Sequence, residues 1–181
     1  MLVIMSGVSG VGKNTVIRRL MEEYSNMHFF ASATTRPVRE GEDIYVNMTE
    51  EQFLQAKERN EFFETVEVHG YHYGTFNKDL QKIVDEPQNI YIKDIDVNGN
   101  RTFRQYLKGK VKVLSIFLEA PDDVLFDRLV KRGESEERAR IRISRSKMER
   151  QFKKDYDLII ENIDLEKTLT TIRQRLKKEG F

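Results

Sequence analysis

Cysteine and tryptophan are absent from this chain of 181 residues, and proline occurs only three times. The lack of cysteine excludes disulfides, thiolate metal sites and thiol nucleophiles. No apolar run approaches the ~20 residues that a membrane-spanning helix needs. Neither charge is in excess, because 31 Lys and Arg stand against 30 Asp and Glu, which leaves a formal net charge of +1. A global field that recruits nucleic acid or an anionic membrane is therefore excluded.

The length suits one well-buried core with small inserted parts. Met1 is followed at once by a short apolar run, and the glycine turn after it comes too early for a secretory segment. We therefore expect no signal peptide and a cytoplasmic protein, either a monomer or a homodimer.

A glycine-rich turn follows the first apolar run, Leu2-Val3-Ile4-Met5. The turn and the start of the next helix read Gly7-Val8-Ser9-Gly10-Val11-Gly12-Lys13-Asn14-Thr15. Glycines let backbone N–H groups point at an anion, the helix adds its positive end, and the lysine brings charge to the outer phosphates of a nucleotide. The pattern predicts a phosphate-binding loop, against the alternative of a glycine-rich turn without a ligand. Asn14 stands where a Ser or Thr normally holds Mg²⁺, so Thr15 or a water is expected in that role.

Strand and helix patterns alternate along the chain and predict an α/β fold with a parallel sheet. One strand is expected over 28–35, a capping box opens a helix at Thr49, and a hairpin is expected over 61–75. The carboxyl ends of parallel strands meet at one edge of the sheet. Asp94, Asp96 and Asn162 are expected at that edge, beside the phosphate-binding loop.

Two arginines three residues apart, Arg36 and Arg39, lie in a proline-restrained loop and suit a phosphate that takes several charge-assisted bonds. Taken alone, the more ordinary interpretation is a solvated loop in which Glu40, Glu42 and Asp43 pair with them. A densely charged stretch over 134–147 is predicted to be a mobile helical flap.

Several motifs, in this order, resemble the guanylate kinase family over essentially the whole chain. They are Ser32-Ala33-Thr34-Thr35-Arg36-Pro37-Val38-Arg39-Glu40-Gly41-Glu42, Glu61-Phe62-Phe63-Glu64, Gly70-Tyr71-His72-Tyr73-Gly74-Thr75, Asp94-Ile95-Asp96 and Arg128-Leu129-Val130-Lys131-Arg132-Gly133. The resemblance implies a P-loop NTPase fold, a three-layer parallel sheet with an inserted mixed α/β domain that binds a nucleoside monophosphate, and a short helical lid. The implied limits are 1–29, 85–130 and 148–181 for the core, 30–84 for the insertion and 131–147 for the lid.

The activity that the resemblance implies is transfer of the γ-phosphoryl group of Mg·ATP to GMP, or dGMP, giving ADP and GDP. Its implied partners are these nucleotides and Mg²⁺, with no nucleic acid or membrane. The implied catalytic residues are Lys13, Arg36, Arg39, Arg132 and Arg142. The implied ATP-binding residues are Gly7, Ser9, Gly10, Val11, Gly12, Lys13, Asn14, Thr15, Arg128 and Asn162. The implied GMP-binding residues are Ser32, Arg36, Arg39, Tyr45, Glu64, Tyr73, Thr75 and Asp96. Thr15, Asp94 and Asp96 are implied to approach Mg²⁺ through water.

Within this set, the resemblance assigns the acceptor phosphate to the arginine pair and the two tyrosines, and the guanine to Ser32, Glu64 and Thr75. A carboxylate accepts two parallel N–H bonds from N1 and N2 of guanine, which adenine does not offer. The chain departs from the family pattern in Asn14, in an early proline, in Lys93 and in a shorter loop between Gly41 and Tyr45, which could move that tyrosine away from the acceptor phosphate.

Three other functions compete with this one. A related kinase phosphorylates ribose 1,5-bisphosphate, but a sugar phosphate has no guanine edge for Glu64 and Ser32 to read. An inert guanylate-kinase-like module of scaffold proteins binds phosphorylated peptides, but Lys13 in an intact glycine loop argues against it. RNA binding by residues 138–150 is opposed by the acidic residues interleaved there, which favour a solvated flap.

Overall fold

In a computed structural model, which describes residues 1–37, 45–68 and 70–181, the chain forms two sheets and seven helices in those ranges. The strands are β1 (Leu2–Gly7), β2 (Met27–Phe29), β3 (Ser32–Thr34), β4 (Tyr45–Asn47), β5 (Phe62–Val68), β6 (Tyr71–Phe76), β7 (Ile90–Asp94), β8 (Val113–Glu119) and β9 (Leu158–Glu161). The helices are α1 (Lys13–Glu23), α2 (Glu50–Glu58), α3 (Asn77–Asp85), α4 (Val97–Leu107), α5 (Asp122–Lys131), α6 (Glu136–Arg150) and α7 (Leu165–Lys178), with a 3₁₀ turn at Lys153–Asp155.

The central sheet is parallel throughout, with the strand order β2-β7-β1-β8-β9. Its middle strand β1 is apolar because it is covered on both faces. Val3 and Met5 pack in a core that includes residues of α1 and α7, whereas Leu2 and Ile4 pack in a second core with residues of α3 and α4. The result is a three-layer α/β fold, as predicted.

Local signals in the sequence account for several element boundaries. Thr49 Oγ1 accepts a hydrogen bond from the Gln52 N–H (3.1 Å), and Gln52 Oε1 accepts one from the Thr49 N–H (2.9 Å), which completes the capping box before α2. The hairpin predicted over 61–75 is formed by the antiparallel pair β5 and β6.

The single strand predicted over 28–35 is wrong, because the structure has two strands there that belong to different sheets. β2 pairs with β7 of the central sheet, and the pairing ends after the Phe30 N–H donates to the Ile92 carbonyl (2.8 Å). The Phe30 side chain is buried in the core under the central sheet. The chain then turns away, and β3 joins a four-stranded sheet of order β4-β3-β6-β5.

This second sheet has its own small core, formed by Ala33, Phe53 and Phe76. The next helix, α3, packs its buried residues Leu80 and Ile83 in the core of the central sheet. The domain limits inferred from the sequence stay a prediction, and α3, which they assign to the insertion, packs on the central sheet. No helix in the described ranges is long and apolar enough to cross a membrane.

Candidate active site

The backbone conformation of the phosphate-binding loop and its close approach to β8 require glycine at two positions. A Cβ on Gly7 would lie 2.2 Å from the Leu118 carbonyl oxygen, so no side chain fits between β1 and β8. Gly12 caps α1 with a φ of 100°, a left-handed conformation that favours glycine. The loop therefore approaches the neighbouring strand closely and delivers the helix N-terminus to the cavity in front of it.

Two side chains from distant parts of the chain hold the same carbonyl oxygen of this loop. Arg128 Nη1 donates to the Val11 oxygen at 3.0 Å, and Asn162 Nδ2 donates to it at 2.8 Å. The Thr168 hydroxyl in turn donates to Asn162 Oδ1 at 2.8 Å. Arg128 and Asn162, which were both predicted to bind ATP, thus contact the backbone of the loop and fix its shape.

Lys13 lies at the base of the loop. Its Nζ donates to the Gly7 carbonyl at 3.1 Å and lies 3.9 Å from an Asp94 carboxylate oxygen. On the other side, Arg142 of α6 donates from Nε to Ser9 Oγ at 2.8 Å and forms an ion pair with Glu134. The charged helix α6 is therefore already in contact with the loop.

Two cavities meet at this point. The loop cavity, about 860 Å³, is lined by residues of the phosphate-binding loop, of α5 and of the segment after β9, among them Ser9, Gly10, Val11, Gly12, Asn14, Thr15, Arg36, Arg128, Arg132, Arg142 and Asn162. The strand cavity, about 810 Å³, is lined by residues of β3, β5, β6, the end of β7, the start of α4 and the end of α6, among them Ser32, Glu64, Thr75 and Asp96. Four residues line both cavities, namely Lys13, Tyr45, Tyr73 and Asp94.

Polar side chains on three strands converge in the strand cavity. Glu64 and Thr75 lie opposite each other in the β5–β6 pair, and the Thr75 hydroxyl donates to Glu64 Oε1 at 3.3 Å. Burial raises the pKa of Glu64, and the positive charge of Lys93 opposes that rise. Ser32 of β3 lines the same cavity and accepts a hydrogen bond from Lys93 Nζ at 2.7 Å.

An arginine and two tyrosines stand where the cavities join. The Arg36 guanidinium lies 5.3 Å from the centre of the Tyr45 ring, and the Tyr45 and Tyr73 rings are 6.0 Å apart. Tyr45 lines both cavities, so the shorter loop before it leaves its ring at their junction. Arg39 lies outside the described residues.

Asp96 has a structural partner in addition to its place at the cavity. Its Oδ1 accepts a hydrogen bond from the Gly99 N–H at 2.7 Å and caps α4. Thr15 and Asn14 line the loop cavity. Within the described ranges, no group of three or more His, Cys, Asp or Glu side chains is arranged to hold a metal ion.

Two further residues join the site that the sequence did not assign to it. Lys93 is only 1% exposed, and burial lowers its pKa to about 8. Glu149 of α6 lines the strand cavity, and one of its carboxylate oxygens is buried with no hydrogen-bond partner among the described residues. The interruption of an apolar strand was a signal for Lys93, whereas Glu149 is one acid in a densely charged helix and carried no signal.

The model of the family "Guanylate kinase" matches residues 1–179. The chain belongs to the guanylate kinase family. A curated guanylate kinase of Helicobacter pylori (strain ATCC 700392 / 26695) is 36% identical over 192 residues, covering 99% of this chain and 91% of the relative. One of Bacteroides thetaiotaomicron is 37% identical over 188 residues, covering 98% of this chain and 91% of the relative.

A guanylate kinase from Anaplasma phagocytophilum has been solved and superposes with a TM-score of 0.74 at 26% identity, covering 99% of this chain and 85% of that chain. These findings confirm the predicted family, the P-loop NTPase fold and the assignment as an enzyme. This member of the guanylate kinase family is a nucleotide-binding transferase, a nucleoside monophosphate kinase. The comparisons support neither the sugar-phosphate kinase nor the inert binding module.

Proposed function

We propose that this enzyme transfers the γ-phosphoryl group of ATP to GMP, with ATP in the loop cavity and GMP in the strand cavity. One observation carries the proposal. The half-buried carboxylate of Glu64, flanked by Thr75 and Ser32, faces a cavity that joins the phosphate-binding loop at Lys13.

The strand cavity offers the hydrogen-bonding groups that a guanine base needs. An ionised Glu64 accepts bonds from the N1–H and N2 amino groups of guanine, and a hydroxyl donates to the C6 carbonyl. Adenine presents an acceptor at N1 and a donor at C6, so it would leave these groups unpaired. A site that hydrogen-bonds its substrate in this way rejects the mismatched base by factors of about 10⁴.

The junction of the two cavities suits the acceptor phosphate. Arg36 supplies a planar cation, and the Tyr45 and Tyr73 hydroxyls are further donors on the same wall. Arg39, predicted from the sequence to complete this set, is retained in the proposal.

In the reaction, an oxygen of the GMP phosphate attacks the γ-phosphorus of ATP, and the bond from that phosphorus to the β–γ bridging oxygen breaks. Such transfers need positioning and charge neutralisation more than a covalent intermediate or a strong base. Lys13 lies between the cavities, and Arg132 and Arg142 line the loop cavity. These three cations would neutralise charge that spreads over the transferring group, and closure of the charged α6 lid would exclude water.

The residues present fit a Mg²⁺ ion that arrives with ATP. Mg²⁺ keeps several waters and binds through one or two carboxylates together with substrate phosphates, so no closed cage of protein ligands is required. The Asp94 carboxylate lines both cavities, Thr15 lies at the loop, and Asp96 retains a second carboxylate oxygen beyond the one that caps α4. These residues would hold the ion through water, and it would supply charge neutralisation at the phosphates.

The test measures ADP release from Mg·ATP with GMP, dGMP, AMP, CMP, UMP and ribose 1,5-bisphosphate, each offered separately. We expect rapid turnover with GMP and a fall in kcat/KM of about 10³-fold or more for Glu64→Gln, because the amide replaces an acceptor by a donor. The matched control is Glu67→Gln, an exposed acid on the same strand, which should leave turnover unchanged. Turnover with the sugar bisphosphate but not GMP, or equal turnover with GMP and AMP, would overturn the proposal.

A further inference from the structure

Among the described residues, Lys93 is the only charged side chain that is buried, with 1% of its surface exposed. It lies in β7 opposite Ile4 of the middle strand, in a position where a strand covered on both faces is expected to be apolar. Its ammonium group lies 4.5 Å from the centre of the Phe30 ring and 5.6 Å from that of Phe103. Burial of a cation is costly unless it is paired, so its partners indicate its role.

Most polar partners of Lys93 line the strand cavity, namely Ser32, Glu64 and Asp94. Its Nζ donates to Ser32 Oγ at 2.7 Å, and the strongest favourable charge on it is Glu64, followed by Asp94 and Asp79. The ammonium group therefore lies behind the two side chains proposed to contact the base, and its aromatic neighbours close it off from water.

The hydrogen-bonding capacity of Lys93 and Ser32 determines which of the two donates in the bond between them. An ammonium group has three donors and no acceptor, whereas a serine hydroxyl has one donor and two acceptor lone pairs. Because Lys93 donates to Ser32 Oγ, the hydroxyl hydrogen of Ser32 has to point elsewhere, and Ser32 lines the strand cavity. Ser32 is thereby set as a donor toward a ligand in that cavity.

We propose that Lys93 is a positioning and specificity-determining residue that holds the Ser32 hydroxyl as a hydrogen-bond donor to the 6-carbonyl oxygen of a purine acceptor. Through its charge it also favours the ionised form of Glu64, which accepts from N1–H and the 2-amino group. A purine with a carbonyl at C6 is selected, and one with an amino group or a weaker acceptor at C6 is disfavoured. The proposal rests on the proposed assignment of the acceptor to the strand cavity.

The test compares GMP with 6-thio-GMP, which differs only in carrying the weaker acceptor sulfur at C6, in wild type, Lys93→Met, Ser32→Ala and the double variant. Methionine keeps the buried apolar stem and removes the donor and the charge. For Lys93→Met we expect the KM for GMP to rise by about tenfold or more and the preference for GMP over 6-thio-GMP to shrink. The KM for ATP should stay within about twofold, which a general loss of structure would not allow. The control is Lys82→Met, an exposed lysine of α3, which should change none of these values.

The double variant shows whether Lys93 acts through Ser32. In a Ser32→Ala background, Lys93→Met should no longer alter the GMP to 6-thio-GMP ratio, because interacting residues are not additive. An unchanged ratio in Lys93→Met, or an equal change in both backgrounds, would overturn the proposal.

If Lys93→Met does not fold, Ser32→Ala carries the test alone. It should reduce the GMP to 6-thio-GMP ratio toward one and also lower the midpoint of thermal unfolding, since the buried ammonium loses its acceptor; an unchanged ratio would overturn the proposal. Binding is measured by calorimetry as well as turnover. A wild-type enzyme that binds GMP but does not phosphorylate it would contradict the proposed function, while the binding ratios would still test Lys93.

Discussion

The loop cavity and the strand cavity are built by different means. The phosphate-binding loop presents backbone N–H groups and a helix N-terminus, and side chains such as Arg128 and Asn162 act from behind by holding the Val11 carbonyl. In the strand cavity the side chains themselves form the lining, and a further buried side chain, Lys93, lies behind Ser32.

This difference predicts where each cavity is sensitive to substitution. Backbone groups keep their direction when a neighbouring side chain changes, so a loop with Asn14 in place of a hydroxyl residue can retain phosphate binding. In the strand cavity, each hydrogen bond depends on one side chain and on the partner that orients it, so single substitutions should alter selectivity. Substitutions in the two cavities should therefore differ in which kinetic constant they change.

The largest effect is expected where the two cavities meet. Lys13→Met should lower kcat with GMP by about 10³-fold, because it removes the charge that we propose neutralises the transferring phosphoryl group. Steady-state kinetics would measure this, with thermal unfolding to show an intact fold. Lys167→Met, at a side chain 86% exposed, is the control. A decrease of less than about tenfold would mean that the arginines or the metal ion supply most of the charge.

A smaller effect should be confined to the loop cavity. Asn162→Ala removes the 2.8 Å bond to the Val11 oxygen and leaves the Thr168 hydroxyl without its acceptor. The KM for ATP should rise by about tenfold while the KM for GMP stays unchanged. Thr168→Val, which breaks only the supporting bond, should give a rise of about twofold. An equal rise in both KM values would show that the two cavities are not independent.

Much of the fold was predictable because local chemistry determines it. The β1 run, the glycine loop and the Thr49 capping box each carry a short-range signal, and the structure confirms them. The division of residues 28–35 between two sheets was not predictable, because it depends on the core in which Phe30 packs and on strand partners far along the chain.

The candidate active site, too, could be predicted from the sequence only in part. Residue types in motifs predicted which side chains line the cavities, but not what those side chains do there. Arg128 and Asn162 were expected at the nucleotide and contact the loop backbone, and Lys93 was only an irregularity in a strand until its contact with Ser32 was visible. Such roles depend on distances across the fold, which no local pattern encodes.

A modest effect on the KM for GMP alone is expected at Tyr73, which lines the junction of the two cavities. Tyr73→Phe removes one hydroxyl at the junction and should raise the KM for GMP by about fivefold, with the KM for ATP unchanged. Tyr106→Phe, on an exposed tyrosine of α4, is the matched control. If the KM for GMP does not change, the acceptor phosphate is held without this hydroxyl.

The smallest effect concerns pH. Burial raises the pKa of Glu64, and only its ionised form accepts bonds from guanine N1–H and N2. As the pH falls, the carboxylate is therefore lost at a higher pH than for an ordinary glutamate, and the KM for GMP should rise by about twofold between pH 7 and pH 5.5.

The acceptor phosphate also titrates near pH 6, so its contribution has to be separated. In Glu64→Gln, the dependence of the KM for GMP on pH comes from the phosphate alone. Dividing the wild-type pH profile by the profile of this variant therefore isolates the contribution of the Glu64 carboxylate. Lys93→Met should move the isolated inflection to still higher pH, because the positive charge that opposes the effect of burial on the pKa of Glu64 is gone. Parallel profiles for wild type and Glu64→Gln would assign the pH dependence to the phosphate. An inflection that stays fixed in Lys93→Met would show that the buried ammonium does not act on Glu64, which would leave Ser32 as the only route by which Lys93 influences the base.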